Sequence, residues 1–325
     1  PFFRENSGCR RLYGKAETGC SCNRKTSRNE EKEGVFFMKK VSVRVFLVVA
    51  LLLMLFSGAV SASVGYLGPA ATYTEEAAIL FFGDQETFVP MKTVPETLAG
   101  VKSGEFRYAV VPVENTVGGP VYNYLDSVIN DPAFVVVGEV TLPIRQTLMA
   151  VPGTVLSDIK TILSHPQGIA QGKDWLRANL PDAKLIEVSS TAEGARKVAA
   201  DGDKAVAAIA SPPAAVTYKL AVMAKQIEVT KTNVTRFWVV TSKPFQKFGQ
   251  MRTILVAQGA AAALPGLLKD LDRAGYSLVS VHDRPAKTLL GEYVYAIELN
   301  GDGRREVLGE VMGKYVPKFK LGVLG

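Results

Sequence analysis

Short apolar runs alternate with amphipathic stretches along residues 63–242, and this pattern predicts strands and helices in turn. The predicted strands lie at 63–67, 88–90, 108–113, 133–141, 146–151, 161–163, 185–188, 205–209 and 237–241. The predicted helices lie at 74–82, 94–103, 118–130, 167–180, 191–200 and 212–220. Such alternation predicts an α/β fold with largely parallel strands and helices on both faces. The length of the block favours two lobes that face a cleft.

The order of elements changes after residue 250. A polar segment with Pro and Gly, 243–250, predicts a linker. Beyond it, strands are predicted at 251–257, 277–282, 292–299 and 318–323, and helices at 262–274 and 304–315. This βαββαβ order is typical of a ferredoxin-like unit. Because both helices cover one face of its antiparallel sheet, we expect a second copy of the chain to cover the other face.

The first 62 residues show a different pattern. Residues 1–37 are polar, hold all three cysteines and are interpreted as an upstream leader outside the native fold. Met38 then precedes a basic cluster, the apolar run 45–56 and a stretch of small residues, which is the layout of a signal peptide at 38–62. Since the run is short for a membrane span, we expect an exported, periplasmic protein. An uncleaved anchor that leaves the protein facing outward is the alternative.

Composition and charge narrow the class of protein further. The chain has 325 residues, of which 47% are hydrophobic and 21% charged, as in ordinary globular proteins. The formal net charge is +7, but residues 1–62 hold 11 Lys or Arg against 5 Asp or Glu, and the rest hold 27 against 26. The basic excess therefore lies in the leader, which argues against a nucleic-acid partner.

Polar, turn-forming segments follow several predicted strands. They lie at 68–75, 112–119, 164–171, 189–191, 211–213 and 233–237. Open α/β sheets place ligands at the carboxyl ends of their strands, where helix N-termini bind anions through backbone N–H groups. The sequence therefore predicts a cleft for a small anionic molecule, with Arg236 as a cationic contact. It contains no dinucleotide-binding loop, P-loop, HExxH or GxSxG motif, so we predict neither cofactor nor metal.

Five of these segments, in order, resemble the motifs of prephenate dehydratases: YLGPAATYTE at 66–75, VPVENTVGG at 111–119, SHPQGIAQ at 164–171, AIAS at 208–211 and NVTRF at 233–237. Residues 251–325 resemble the ACT regulatory domain that commonly follows. The resemblance implies a two-lobed, periplasmic-binding-protein-like catalytic domain at 63–242 and an ACT domain at 251–325. It also implies a homodimer, or a dimer of dimers, formed through the ACT domain.

The resemblance implies an activity as well. The family converts prephenate to phenylpyruvate in phenylalanine biosynthesis, with loss of carbon dioxide and hydroxide and without a cofactor. It implies Thr235 at the leaving hydroxyl, with Asn115 and Gln171 as the other catalytic residues. The residues expected to bind the substrate are Arg236, Phe237, Thr72, Glu114, Thr191, Ser211 and His165.

The chain departs from the family pattern at positions that bear on function. Gln146 stands where the family often has a histidine, which excludes a histidine acid there. The motifs that bind phenylalanine in the family fall on Ala263, Leu264, His282, Asp283, Arg284 and Pro285. Because Ala262 replaces a glycine and His282 replaces a glutamate in these motifs, we do not expect ordinary feedback by phenylalanine.

Two alternatives to prephenate dehydration stay open. The substrate could be arogenate, which carries an amino group in place of the keto group. A signal peptide and an anion-lined cleft would also suit an extracytoplasmic solute-binding protein for a small anionic ligand. The Thr235-Arg236-Phe237 motif and the trailing domain favour the enzyme, because a solute receptor needs neither.

Overall fold

The computed structural model describes residues 63–84, 86–242, 252–303 and 305–323, which belong to one compact unit, Ser61–Gly325. The leader at 1–37, the signal peptide at 38–62 and the linker at 243–250 lie outside the described residues and stay predictions. Among the described helices, none combines the length and the hydropathy that crossing a bilayer requires.

Strands and helices alternate through the first part of the described chain. The strands are β1 (Ser63–Leu67), β2 (Thr87–Met91), β3 (Tyr108–Asn115), β4 (Gly119–Pro120), β5 (Val135–Pro143), β6 (Thr147–Ala150), β7 (Thr161–Ser164), β8 (Lys184–Glu187), β9 (Val206–Ala210), β10 (Ala221–Ala224) and β11 (Val234–Thr241). The helices are α1 (Tyr73–Phe82), α2 (Val94–Ser103), α3 (Tyr122–Ile129), α4 (Pro166–Asn179), α5 (Thr191–Asp201) and α6 (Pro212–Thr217).

These strands form two sheets, one in each lobe. The first lobe has the order β2-β1-β3-β11-β5, with β4 paired to β3, and the second has the order β10-β6-β9-β7-β8. The α/β class and the two lobes agree with the prediction, but the sheets are mixed and not largely parallel. In the first lobe β11 runs antiparallel to both β3 and β5, because the chain returns there from the second lobe. In the second lobe β6 runs antiparallel to β9 and β10.

The helix predicted at 118–130 begins later than expected. Glu114 and Asn115 pair with Pro120 and Gly119 in a tight hairpin, so residues 119–120 form β4. Gly119 has a φ of 76°, a conformation that glycine adopts without strain. The hairpin holds Asn115 at the end of β3, and α3 starts only at Tyr122.

The C-terminal part contains β12 (Arg252–Ala260), α7 (Leu264–Arg273), β13 (Ser277–Pro285), β14 (Glu292–Asn300), α8 (Glu306–Tyr315) and β15 (Phe319–Val323). The predicted βαββαβ order is confirmed, and its antiparallel sheet has the order β13-β14-β12-β15. Both helices contribute to a single buried cluster with one face of this sheet. Its members include Leu255, Leu267, Leu271, Ile297 and Leu308.

The other face of this sheet is covered within the chain. Ile254, Val294 and Ala296 belong to the same buried cluster as Trp238 and Val240 of the first lobe. The expectation that this face needs a second copy to cover it was therefore wrong, because the first lobe already packs against it. Dimerisation itself stays a prediction.

Candidate active site

A cavity of about 310 Å³ lies between the two lobes at the ends of their strands. Its apolar lining is formed by Leu67, Pro112, Val121, Tyr124, Ile144 and Phe237. Its polar lining includes Thr72, Tyr73, Asn115, Gln146, His165, Gln167, Gln171, Thr191 and Thr235. Of the residues predicted to form the site, Thr72, Asn115, His165, Gln171, Thr191, Thr235 and Phe237 thus share this cleft.

The cleft is polar, but its charge does not come from acidic or basic side chains. No Asp, Glu, Lys or Arg side chain of the described residues lines it. Within the same residues, no group of His, Cys, Asp and Glu is placed to hold a metal ion. The cleft's electrostatic character therefore comes from hydrogen-bond donors and helix ends.

Three helices begin at the cleft, and each has a capping side chain. Thr72 Oγ1 accepts from Glu75 N (3.3 Å) before α1, and Ser190 Oγ accepts from Glu193 N (3.0 Å) before α5. His165 Nδ1 accepts from Gln167 N (3.2 Å) before α4. The first amides of a helix have no acceptor inside that helix and carry a partial positive charge. The three helix ends can therefore attract carboxylates without a cationic side chain.

The protonation of His165 follows from this cap. Because Nδ1 accepts a hydrogen bond, the neutral ring carries its hydrogen on Nε2 and offers a donor. Burial lowers the pKa of His165, which favours the neutral ring near pH 7. His165 is therefore a neutral donor at the cleft and not an added positive charge.

Thr235 lies on β11 at the floor of the cleft, with 9% of its surface exposed. Its Oγ1 accepts a hydrogen bond from Asn115 Nδ2 at 2.9 Å. The orientation of Asn115 is fixed because its Oδ1 accepts from the backbone amides of Val117 (2.9 Å) and Gly118 (2.8 Å). Since the amide of Asn115 uses a lone pair of the hydroxyl, the hydrogen of Thr235 remains available for a ligand.

Gln167 supports the same arrangement from α4. Its Nε2 donates to Asn115 Oδ1 at 3.3 Å. A Cβ on Gly118 would lie 2.6 Å from that nitrogen, so the glycine leaves the space that the side chain of Gln167 occupies. Asn115 thus contacts Thr235 directly, and its role as a catalytic residue stays a prediction.

A second polar group lies across the cleft. Gln146 Nε2 donates to Gln171 Oε1 (2.7 Å), which leaves the amide hydrogens of Gln171 for other acceptors. The backbone amide of Gln146 donates to the buried carboxylate of Glu228 (2.9 Å). Tyr73 OH donates to Arg145 O (2.7 Å), and burial, with Glu76 and Glu228 nearby, raises the pKa of this phenol. Tyr73 therefore stays a neutral hydroxyl.

Arg236 and Glu114 do not line the cleft, contrary to the prediction. Successive side chains of a strand point to opposite faces, so Thr235 and Phe237 face the cleft while Arg236 faces away. Glu114 is the partner of Arg236 in the ladder, and the two form an ion pair (2.8 Å) behind the cleft. The position of Arg236 next to Thr235 in the sequence thus did not indicate the face of the strand on which its side chain lies.

Ser211 is also placed differently from the prediction. It is fully buried outside the cleft lining, and its Oγ donates to Ala71 O at 2.9 Å. This hydrogen bond joins the start of α6 in the second lobe to the loop before α1. Ser211 therefore has a structural partner that a substrate would have to replace.

The six residues predicted to bind an effector do not share one face. Ala263 and Leu264 pack with the core on the helical side of the C-terminal sheet. Arg284 instead forms a bidentate ion pair with Asp126 of α3 (2.7 and 3.0 Å), and His282 lies 3.6 Å from Glu298. Asp283 and Pro285 pair in register with Tyr295 and Tyr293 of β14.

Some residues at the cleft carried little sequence signal. Tyr124 lies on α3, and only its hydrophobic spacing on that helix marks it. Ser189 and Ser190 belong to a capping segment that the sequence placed at the cleft, but neither was predicted as a substrate-binding residue. Gln146 was noted only for what it replaces, and its contact with Gln171 depends on residues far apart in the chain.

Comparison with known proteins identifies the family. The profile described as "PDT: Prephenate dehydratase" matches residues 64–245. The chain is 37% identical to a bifunctional chorismate mutase/prephenate dehydratase of Neisseria gonorrhoeae over 74% of its own length and 67% of the relative's. It is 35% identical to a prephenate dehydratase of Amycolatopsis methanolica over 73% of its length and 79% of the relative's.

A solved structure agrees with this assignment. The prephenate dehydratase of Arthrobacter aurescens, solved in complex with L-Phe, superposes with a TM-score of 0.73 at 29% identity. The match covers 81% of this chain and 89% of that one. On the matched profile, the relatives and the shared fold, this chain belongs to the prephenate dehydratase family and is a lyase.

Proposed function

We propose that the chain catalyses the decarboxylating dehydration of prephenate to phenylpyruvate. The observation that carries this proposal is the hydroxyl of Thr235, buried at the floor of an uncharged cleft and held by Asn115 with its hydrogen available. Family membership supports the same reaction. The chemistry requires a donor for a leaving hydroxyl, and we assign this role to Thr235 among the donors of the cleft.

The reaction breaks two bonds of the substrate ring. The electron pair of the carbon–carboxylate bond moves into the ring as carbon dioxide leaves, and the carbon–oxygen bond breaks with its electron pair on the departing hydroxyl. That oxygen takes up one proton and leaves as water. A hydrogen bond from Thr235 stabilises the negative charge that develops on it. Because threonine is a weak acid, we assign it a polarising hydrogen bond, with solvent as the final source of the proton.

The two carboxylates fit the charge distribution of the cleft. The helix ends at Thr72, His165 and Ser190 provide N–H donors, while no Lys or Arg of the described residues lines the cavity. Donors of this kind bind a carboxylate without a full opposing charge. The carboxylate that must give up its electron pair is then not held back by a cation.

The same lining favours prephenate over arogenate. Arogenate presents an ammonium group where prephenate has a keto oxygen, and no Asp or Glu of the described residues lines the cleft to pair with it. The partial positive charge of three helix ends also disfavours a cation. We therefore assign the keto acid as the substrate.

The test is turnover of prephenate by the full chain, measured as the alkaline absorbance of phenylpyruvate. Thr235→Ala should lower kcat by at least a hundredfold, since loss of one oriented donor to a developing negative charge costs about 10²–10³-fold. Thr241→Ala is the matched control, because Thr241 is a buried threonine at the other end of β11 and does not line the cleft. Tight binding of prephenate without turnover would instead support the solute-binding alternative.

We further propose that the C-terminal βαββαβ unit is an ACT regulatory domain. Its topology and its place after the catalytic lobes support this, as does a relative solved in complex with L-Phe. In this chain Arg284 is engaged with Asp126 and His282 with Glu298, so we expect weak binding of phenylalanine or none. Calorimetry with phenylalanine tests this, and micromolar affinity would contradict it.

Export and assembly are proposals of the same kind. The sequence of residues 38–62 supports a cleaved signal peptide and a periplasmic location. N-terminal sequencing of the native protein should find a start near Ser63, whereas a start at Met38 would indicate an anchor. We propose a homodimer or a dimer of dimers through the C-terminal unit, which analytical ultracentrifugation measures directly.

A further inference from the structure

The back face of β11 carries an ion cluster that joins the first lobe to the C-terminal unit. Arg236 Nη2 donates to Glu298 Oε1 and to Glu114 Oε2, each at 2.8 Å, and Nη1 donates to Glu298 Oε2. Glu139 lies 3.5 Å from the same guanidinium and also binds Arg252. One arginine therefore bridges Glu114 on β3 and Glu298 on β14.

Glu298 is a buried carboxylate whose negative charge holds the side chain of Arg236. It is 1% exposed, and its partners among the described residues include Arg236, His282 and Ser280. Burial would raise the pKa of Glu298, but its contacts with His282 and Arg236 lower it to about 2. Glu298 is therefore ionised at neutral pH and holds both guanidinium Nη atoms, which fixes the direction of the Arg236 side chain.

The ion cluster lies next to Thr235 and Asn115 in the β3–β11 ladder, and through this position it can affect the reaction. In the β3–β11 ladder, Thr235 is opposite Asn115 and Arg236 is opposite Glu114. The pair that faces the cleft and the pair that faces the C-terminal unit are thus consecutive. Any shift of Arg236 along or across the strand is passed through one peptide unit to Thr235.

The backbone ladder is irregular at this point, which increases the importance of side-chain contacts. The register shifts between Arg236 and Phe237, where two steps on β3 correspond to one step on β11. Pro112, the partner of Phe237, has no N–H to donate. A bulge of this kind locally disrupts the ladder hydrogen bonds, so the bridge of Arg236 to Glu114 supplies part of the register that the backbone does not.

We propose that Glu298, from the C-terminal unit, is a positioning residue for the reaction and acts through Arg236 to hold Thr235 and Asn115 in register. This inference rests on the proposed function. It makes the C-terminal unit part of what orders the cleft, whether or not that unit binds an effector. Glu298 itself does not line the cleft, so its removal should affect the chemical step more than substrate binding.

The kinetic test compares Glu298→Gln, Arg236→Gln and the double variant in the full chain. Glu298→Gln should lower kcat about tenfold with KM changed less than twofold, because the carboxylate-binding helix ends lie elsewhere. If Glu298 acts through Arg236, the double variant should be no slower than Arg236→Gln alone. A double variant whose loss is the product of the two single losses would overturn the proposal.

Asp126→Asn is the matched control. It removes a second bidentate ion pair between the C-terminal unit and the first lobe, but one attached to α3 and not to β11. We expect its kcat to stay within twofold of wild type. If Asp126→Asn lowers kcat as much as Glu298→Gln, the effect belongs to docking of the unit in general and the positioning proposal fails.

A second variant covers the case in which Glu298→Gln does not fold. Arg236→Lys keeps the positive charge but lacks the fork that binds Glu298 and Glu114 together, so kcat should fall at least fivefold at nearly constant KM. An unchanged kcat would overturn the proposal.

Hydrogen exchange separates this proposal from the proposed function. The amides of residues 234–237 should exchange at least tenfold faster in Glu298→Gln, or in Arg236→Lys, than in Asp126→Asn. If wild type does not convert prephenate, the proposed function fails, and the exchange rates still decide whether Glu298 orders β11. Equal exchange in all variants would refute the positioning role.

Discussion

Replacing Thr235 with valine separates the chemistry of its hydroxyl from its packing. The two side chains have nearly the same shape, and the site is buried. The amide of Asn115 keeps two other acceptors, Asn233 Oδ1 at 2.8 Å and Val234 O at 3.1 Å. No buried donor is left unpaired, so the substitution should lower the free energy of unfolding by only about 1 kcal/mol, the net value of one hydrogen bond.

The effect on catalysis should be far larger. Loss of a donor at the leaving hydroxyl should reduce kcat by about 10²–10³-fold, or roughly 3–4 kcal/mol of activation free energy at 1.36 kcal/mol per factor of ten. Phenylpyruvate formation from prephenate measures kcat, and thermal unfolding measures stability on the same samples. Thr235→Ser is the control: it keeps the hydroxyl and should retain kcat within tenfold. A folded Thr235→Val protein with kcat within threefold of wild type would refute the role of this hydroxyl.

Three further predictions follow from other contacts. Ser211→Ala should lower the free energy of unfolding by about 1–3 kcal/mol, because it leaves the buried Ala71 carbonyl without its donor, while KM stays within twofold; a large rise in KM with unchanged stability would restore Ser211 as a substrate contact. In competition assays, kcat/KM for prephenate should exceed that for arogenate at least tenfold, and equal values would show that the uncharged lining does not select the keto acid. The pKa of Glu298 is lowered to about 2, so its ionised carboxylate stabilises the fold fully above the ordinary pKa of about 4.5. This stabilisation is lost as the pH falls towards 2. The difference in unfolding free energy between wild type and Glu298→Gln, measured in urea, should therefore shrink by about 3 kcal/mol over this range.

The cleft could be predicted from sequence to the extent that strand ends meet. Asn115 ends β3, Thr235 lies at the start of β11 and Gln171 lies on the helix that follows β7, and the structure brings the three into one cavity. The capping segments at 72 and 190 could be predicted because Ser and Thr are preferred residues at the position just before a helix. Their roles in catalysis stay predictions.

What the sequence did not reveal depends on contacts between distant parts of the chain. Glu298 lies 62 residues from Arg236, and nothing in either local pattern indicates that they meet. The direction of β11 is set by the path of the chain back from the second lobe, which short apolar runs do not record. The covered face of the C-terminal sheet is a further case, since its apolar residues fit a partner copy and the first lobe equally well.

The hydrogen bonds that fasten the loop before α1 to the second lobe have a mechanical consequence. Ser211 Oγ and Tyr218 OH, both from the second lobe, hold the carbonyls of Ala71 and Ala70 at 2.9 and 2.7 Å. This loop leads into Thr72, which belongs to the wall of the first lobe. If the two lobes move apart, either this loop moves with the second lobe or both hydrogen bonds break.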